Sequence, residues 1–105
     1  MIQVLVESKT NLIQSITITG HANSGPDGQD LVCAAVSSIA TGALNALDQM
    51  TAHQASLVYQ EKPEAKIQIT VSKNTSELQF LLKMLMIQLK TLEHTQKKYI
   101  QIQEV

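Results

Sequence analysis

No charged residue occurs between Asp30 and Asp48, and the sequence between them is mostly Ala, Ser, Val, Ile, Leu and Thr with one glycine. A segment of this length with small or apolar side chains on most sides predicts a largely buried helix over residues 31–50. The small side chains, including Gly42, allow a sheet or a second helix to approach closely. The remainder of the chain therefore has to supply the layer that covers this helix.

The residues before and after this helix in the sequence alternate as strands do, and we expect these strands to form that layer. Apolar and polar residues alternate with a period of two, and turn-forming or charged residues separate the alternating runs. The third and fourth runs are joined by a short turn, so we expect them to form a hairpin. The predicted strands span residues 2–7, 12–19, 56–60, 66–71 and 98–103.

A second helix is predicted after Asn74, which is expected to be its N-cap, with Glu77 at the capping-box position. Leucines at helical spacing form one stripe that would cover the sheet. A second apolar stripe lies on another face, and we expect it either to form a homodimer interface or to pack on the first helix within one chain. The first stripe is Leu78, Leu81, Leu82, Leu85, Leu89 and Leu92; the second is Phe80, Met84 and Ile87.

The order strand, strand, helix, strand, strand, helix, strand predicts an α+β fold. We expect a two-layer sandwich in which two helices cover one face of a mostly antiparallel sheet. A length of 105 residues predicts a single domain over 1–105.

Composition argues against several classes of function. A net charge of −1 and 3% aromatic residues are not typical of a nucleic-acid-binding protein. The single cysteine rules out a disulfide within the chain and fits a reducing cytoplasm. We expect no signal peptide, no membrane-spanning segment, no metal site and no cofactor. His53 and His94 are interpreted as solvated residues near helix ends.

The single cysteine and one histidine flank a glycine-containing loop. Gly20 ends the second predicted strand and delivers His21, and residues 23–29 favour turns. Asp30 is a suitable N-cap, which places Cys33 in the first helical turn. Unpaired amide groups there favour a thiolate and an oxyanion, and a histidine can accept the thiol proton. Ser37, four residues after Cys33, would lie on the same helix face.

Two other interpretations of this pair remain open. A lone cysteine is most often a small buried hydrophobic residue, and the protein would then be a non-catalytic dimeric module that binds a peptide or the ribosome. Alternatively, the cysteine senses oxidants and has no need of His21.

The motif pair Gly20-His21-Ala22 and Asp30-Leu31-Val32-Cys33-Ala34-Ala35-Val36-Ser37 resembles the Prp family of ribosomal-processing cysteine proteases. The resemblance extends over essentially the whole chain in length and element order. It implies a dimeric cytoplasmic endopeptidase. Its substrate would be the large-subunit ribosomal protein numbered twenty-seven, from which it removes a short N-terminal extension.

The resemblance also assigns roles to individual residues. Cys33 would be the nucleophile and His21 the general base and acid, with Gly20, Asp30 and Ser37 in supporting positions. The loop between the two motifs would contact the substrate and reorder when it binds. Its proposed contact residues are Ser24, Gly25, Pro26, Asp27 and Gly28.

Overall fold

The computed structural model describes residues 1–20 and 28–105, with the backbone alone described for 28–30. Its elements follow the predicted order. They are β1 (Ile2–Lys9), β2 (Leu12–Thr19), α1 (Gly28–Met50), β3 (Ala55–Gln60), β4 (Lys66–Val71), α2 (Ser76–Thr95) and β5 (Ile100–Glu104). The predicted α+β class and the two-helix, five-strand order are confirmed.

The strands form one sheet in the order β3-β4-β2-β1-β5. Neighbouring strands are antiparallel except for β5, which pairs with β1 in parallel. The predicted β3–β4 hairpin is confirmed. Because side chains alternate between the faces of a strand, the paired register aligns the apolar residues of successive strands on one face. One such row runs across the sheet and consists of Tyr59, Ile67, Ile18, Val4 and Ile102.

The core lies between this apolar face and the two helices. Val4, Ile16 and Ile69 of the sheet are almost completely buried. The predicted leucine stripe of α2 covers them, since Leu78, Leu82, Leu85 and Leu89 are buried and Leu81 and Leu92 pack against the core. From α1, the buried apolar residues are Val32, Val36, Ala40 and Leu47.

Helix α1 begins earlier than predicted. It starts at Gly28, so Asp30 is the third helical residue and the expectation that it is the N-cap was wrong. Cys33 is consequently the sixth residue and lies in the second turn, where its amide faces the carbonyl of the preceding turn. The glycine at the start obscured this boundary, because glycine is a poor helix former and reads as part of the loop.

The expectation that no segment is long and apolar enough to cross a membrane also needs correction. Residues Leu31–Met50 meet that description by length and composition. The helix contains polar residues such as Ser37 and Thr41, and its apolar side packs into the core described above. Small side chains give it the apolar composition of a membrane span, although it serves as the covering layer of a sheet.

The start of α2 differs from the prediction by one residue. Thr75, not Asn74, is the N-cap, and its hydroxyl accepts a hydrogen bond from the Leu78 amide at 3.1 Å. Glu77 is therefore not at the capping-box position. The side chain of Asn74 instead accepts a hydrogen bond from Gln79 Nε2 at 3.0 Å.

Gln79 joins α2 to the start of β2. It is a buried polar residue whose side-chain amide donates to the Ile13 carbonyl at 2.8 Å and accepts from the Ile13 amide at 2.9 Å. The side chain thus pairs with the backbone of Ile13 as a neighbouring strand would. This contact closes one end of the sheet, which we call the Gln79 end.

Candidate active site

The other end of the sheet, where β2 finishes, opens into a cavity of about 260 Å³. Its floor is the apolar face of the sheet, contributed by Ile2, Ile18 and Ile67. One wall belongs to α1 and the opposite wall to the end of the β3–β4 hairpin. The α1 wall is Cys33, Val36 and Ser37; the hairpin wall is Tyr59, Gln60, Glu61, Ala65 and Lys66.

Cys33 lines this cavity from the second turn of α1. The residue is half-buried and packs against the edge of the core. Helical spacing brings Ser37, four residues later, to the same wall, as predicted. The Ser37 carbonyl accepts a hydrogen bond from the Thr41 hydroxyl at 2.6 Å on the exposed side of the helix.

Gly20 lines the same cavity at the end of β2. Its φ of +91° lies in a region that favours glycine, and a Cβ on this residue would come within 2.5 Å of the Met1 carbonyl oxygen. The backbone of Met1, immediately before β1, therefore leaves no room for a side chain. Gly20 directs the chain out of the sheet at the point where the sequence continues into His21.

Several predicted site residues fall outside the described part of the structure. These are His21, Ser24, Gly25, Pro26 and Asp27, together with the side chain of Asp30. Gly28 is described as the first residue of α1 and no longer as part of the loop. Of the predicted site, the structure thus brings together Gly20, Cys33 and Ser37.

The early helix start changes the prediction for the oxyanion donors. The amides without a partner in the helix belong to the first turn of α1, residues 28–30, and not to Cys33. The expectation that Cys33 lies in the first turn, among these donors, was wrong.

The hairpin wall was not anticipated from the sequence. Glu61 directly follows the end of β3, and its Oε1 accepts a hydrogen bond from the Tyr59 hydroxyl at 3.0 Å. This hydrogen bond and the negative charge of Glu61 raise the pKa of Tyr59 above its ordinary value of 10.0. The sequence signal for this wall is the position of Tyr59, two residues after Leu57 and so on the same face of the third predicted strand.

Outside this cavity, His53 and His94 are exposed, as expected. His94 lies in the last turn of α2, and His53 lies in the turn after α1 with a φ of 66°. Neither lines the cavity that contains Cys33.

The sequence and the fold both match known proteases. The family model for the cysteine protease Prp matches residues 1–101. The ribosomal processing cysteine protease Prp of Mycoplasma pneumoniae is 32% identical over 89 residues, which cover 85% of each chain. Its Staphylococcus aureus counterpart is 27% identical over 90 residues, covering 86% of this chain and 85% of the relative. A crystal structure of S. aureus Prp with a covalently linked product peptide superposes with a TM-score of 0.90, at 25% identity and full coverage of both chains.

Proposed function

This chain belongs to the Prp family of cysteine proteases, and from that premise we propose that it removes a short N-terminal extension from a large-subunit ribosomal protein. The protein substrate would be the one numbered twenty-seven. The relatives from S. aureus and M. pneumoniae are ribosomal processing proteases, which supports this substrate class. The structural observation that carries the proposal is that Cys33 and Gly20, the residue before His21, line one apolar cavity.

Covalent catalysis by Cys33 would proceed in two steps. In the first, the Cys33 sulfur attacks the carbonyl carbon of the scissile peptide bond while His21 accepts the thiol proton. The tetrahedral intermediate collapses to a thioester, and His21 donates the proton to the departing amine. In the second, water attacks the thioester with His21 as base, which releases the carboxylate product and regenerates the thiol. The covalently linked product peptide in the S. aureus relative supports covalent chemistry in the family.

The supporting residues have distinct parts in this proposal. Ser37 lies beside Cys33 on the α1 wall and is available to contact the substrate or the thiol. Asp30 belongs to the first helical turn, whose unpaired amides are the candidate donors to the oxyanion. The loop residues Ser24 to Asp27 would close over the bound peptide.

A homodimer in the cytoplasm is the proposed working form. The second stripe of α2 is largely exposed: Phe80 is 76%, Met84 47% and Ile87 65% exposed. This exposure argues against the alternative that the stripe covers α1 of the same molecule, although Met84 borders the groove between the helices. An apolar stripe of this length on one helix face is typical of an interface.

The dimer is tested by sedimentation of the wild type and the Ile87→Glu variant. We expect a dimer for the wild type and a monomer for the variant, because the new carboxylate would be buried at the interface. Lys73→Gln, which changes the net charge by the same amount at an exposed position away from the stripe, is expected to remain dimeric. A monomeric wild type would contradict the dimer proposal.

The protease proposal is tested by mass spectrometry of a peptide that spans the N-terminal extension and its junction with the mature ribosomal protein. We expect one cut by the wild type and none by Cys33→Ala, a loss of at least about a thousandfold in kcat/KM. His21→Ala should reduce cleavage to a similar degree. Cleavage by Cys33→Ala at the wild-type rate would exclude Cys33 as the nucleophile.

A further inference from the structure

Tyr59 lies on the face of the sheet that the helices pack against, but the helices do not cover its aromatic side chain. Its register on β3 matches that of Ala55 and Leu57, which are partly buried and pack against the core. Tyr59 follows them in the same register but is 55% exposed. The uncovered part of its ring therefore borders the cavity that also contains Cys33.

The ring continues the apolar floor of the cavity. Tyr59 is paired with Ile67 across the hairpin, and Ile67 is paired with Ile18 of β2. Ile67 and Ile18 are buried, so this row changes from core to open surface at Tyr59. A side chain that enters the cavity above Ile67 would meet the tyrosine ring as its lateral wall.

Glu61 restrains the orientation of this ring. Its carboxylate accepts the Tyr59 hydroxyl hydrogen bond at 3.0 Å, and both side chains are exposed. The same carboxylate raises the pKa of Tyr59, so the phenol stays protonated and uncharged at neutral pH. The restrained ring offers an apolar contact at little cost in side-chain entropy, because its hydroxyl already has a partner.

We propose that Tyr59 is a substrate-binding residue, whose ring packs against a large apolar side chain of the peptide that occupies the cavity beside Cys33. The inference rests on the proposed protease function and deepens it by naming a specificity-determining contact. The three aromatic residues of the chain have different surroundings. Tyr99 packs against the core, Phe80 belongs to the exposed stripe of α2, and Tyr59 alone among them lines this cavity.

A purely structural role for Tyr59 makes a different prediction. Aromatic residues are common in strands, and the ring could simply stabilise the edge strand. Val58 provides the matched control, because it is also exposed, at 39%, and its side chain points to the opposite face of the same strand. Val58 does not line the cavity. A loss specific to Tyr59 therefore reports on the cavity and not on the stability of the hairpin.

The first experiment measures kcat and KM with the extension-spanning peptide for three variants. For Tyr59→Ser we expect about a tenfold loss in kcat/KM, carried mainly by a higher KM, because an apolar contact made in the bound state is lost. Tyr59→Phe keeps the ring and should stay within about threefold of the wild type. Val58→Ser should match the wild type. Equal losses for Tyr59→Ser and Val58→Ser, or no loss for Tyr59→Ser, would overturn the proposal.

The second experiment identifies the substrate side chain that the ring contacts. Each large apolar residue of the peptide is replaced by alanine and assayed with the wild type and with Tyr59→Ser. If the contact exists, one replacement lowers kcat/KM about tenfold for the wild type and only slightly for Tyr59→Ser, since the two changes remove the same interaction. The proposal would be contradicted if, at every peptide position, the replacement lowered kcat/KM by the same factor for the wild type and for Tyr59→Ser.

A binding measurement separates this inference from the proposed function. The labelled peptide is titrated into Cys33→Ala, with and without Tyr59→Ser, and binding is followed by fluorescence anisotropy. Weaker binding in the double variant supports the role of Tyr59 even if the wild type fails to cut the peptide, in which case the cleavage proposal is wrong. Unchanged binding, or no binding by Cys33→Ala, would overturn the role of Tyr59 whether or not cleavage occurs.

Discussion

The two ends of β2 make different contacts. At the Gln79 end, a buried side chain pairs with both backbone groups of Ile13 and ties the strand to α2. At the other end, Gly20 turns out of the sheet beside an open cavity that contains Cys33. At the Gln79 end the backbone groups of Ile13 are hydrogen-bonded inside the protein, whereas at the Gly20 end an apolar floor lies open beside the half-buried Cys33. One end of β2 thus stabilises the fold, and the other end borders the surface that is proposed to bind the substrate.

The largest effect on stability is expected when the side-chain amide at the Gln79 end is removed. Gln79→Ala leaves the N–H and C=O groups of Ile13 without the partners they have now, in a buried place. We expect the free energy of unfolding to fall by about 3 kcal/mol. Chemical denaturation followed by circular dichroism measures this loss. Gln88→Ala, an exposed glutamine on the same helix, should stay within about 0.5 kcal/mol of the wild type.

The same variant also tests whether the two ends are independent. Folded Gln79→Ala at low temperature should cleave the peptide with nearly the wild-type kcat/KM, since Gln79 does not line the cavity. A parallel loss of activity in fully folded protein would show that the ends are coupled, and the separation drawn above would be wrong.

Gly20→Ala is expected to have a smaller effect on stability but a direct one on catalysis. The added methyl group would meet the Met1 carbonyl oxygen, and the positive φ adds strain of about 1–2 kcal/mol. Relief of this strain would displace the chain that leads to His21. We expect a loss of about tenfold or more in kcat/KM, while iodoacetamide still alkylates Cys33.

Gly42→Ala is the matched control for that variant. A Cβ at Gly42 has nothing within 4 Å, and the residue lies inside α1. We expect a gain of about 0.5–1 kcal/mol in the free energy of unfolding and unchanged cleavage. If Gly42→Ala lost as much activity as Gly20→Ala, the special role of the Gly20 backbone would be refuted.

The smallest expected effect concerns the phenol at the open end. Because the Glu61 carboxylate raises the pKa of Tyr59, the phenol keeps its proton above pH 10, and its hydrogen bond is lost as pH rises through the raised value. In Glu61→Gln the charge is gone, and the pKa of Tyr59 should fall towards its ordinary value. Absorbance at the tyrosinate band during alkaline titration measures the shift. Tyr59→Phe removes this transition and thereby assigns it.

The sequence predicted the Gln79 end less well than the strands themselves. Alternation located all five strands to within two residues and identified the leucine stripe, because burial of one face imposes a simple period. It did not reveal Gln79, since a glutamine among leucines in a helix looks like a solvated residue. Thr75 and Asn74 are both good caps, and only tertiary contacts decide between them.

At the Gly20 end, the motif was more informative than the periodicity. Spacing and residue types predicted that His21 lies close to Cys33. His21 lies outside the described residues, but the structure places Gly20, the residue before it, at the same cavity as Cys33. The start of α1 was misplaced, and the hairpin wall with Tyr59 was missed. Both depend on how separate segments pack, which a local pattern does not encode.

The parallel pairing of β5 with β1 has a consequence for the order in which the chain folds. The Ile2 amide donates to the Tyr99 carbonyl at 2.8 Å, so the first strand of the chain is completed by residues at its other terminus. Ile2 also forms part of the cavity floor. Contacts between residues so distant in sequence form late in folding. The cavity floor is therefore completed only when β5 has paired with β1, and chains that lack β5 should be inactive towards the peptide.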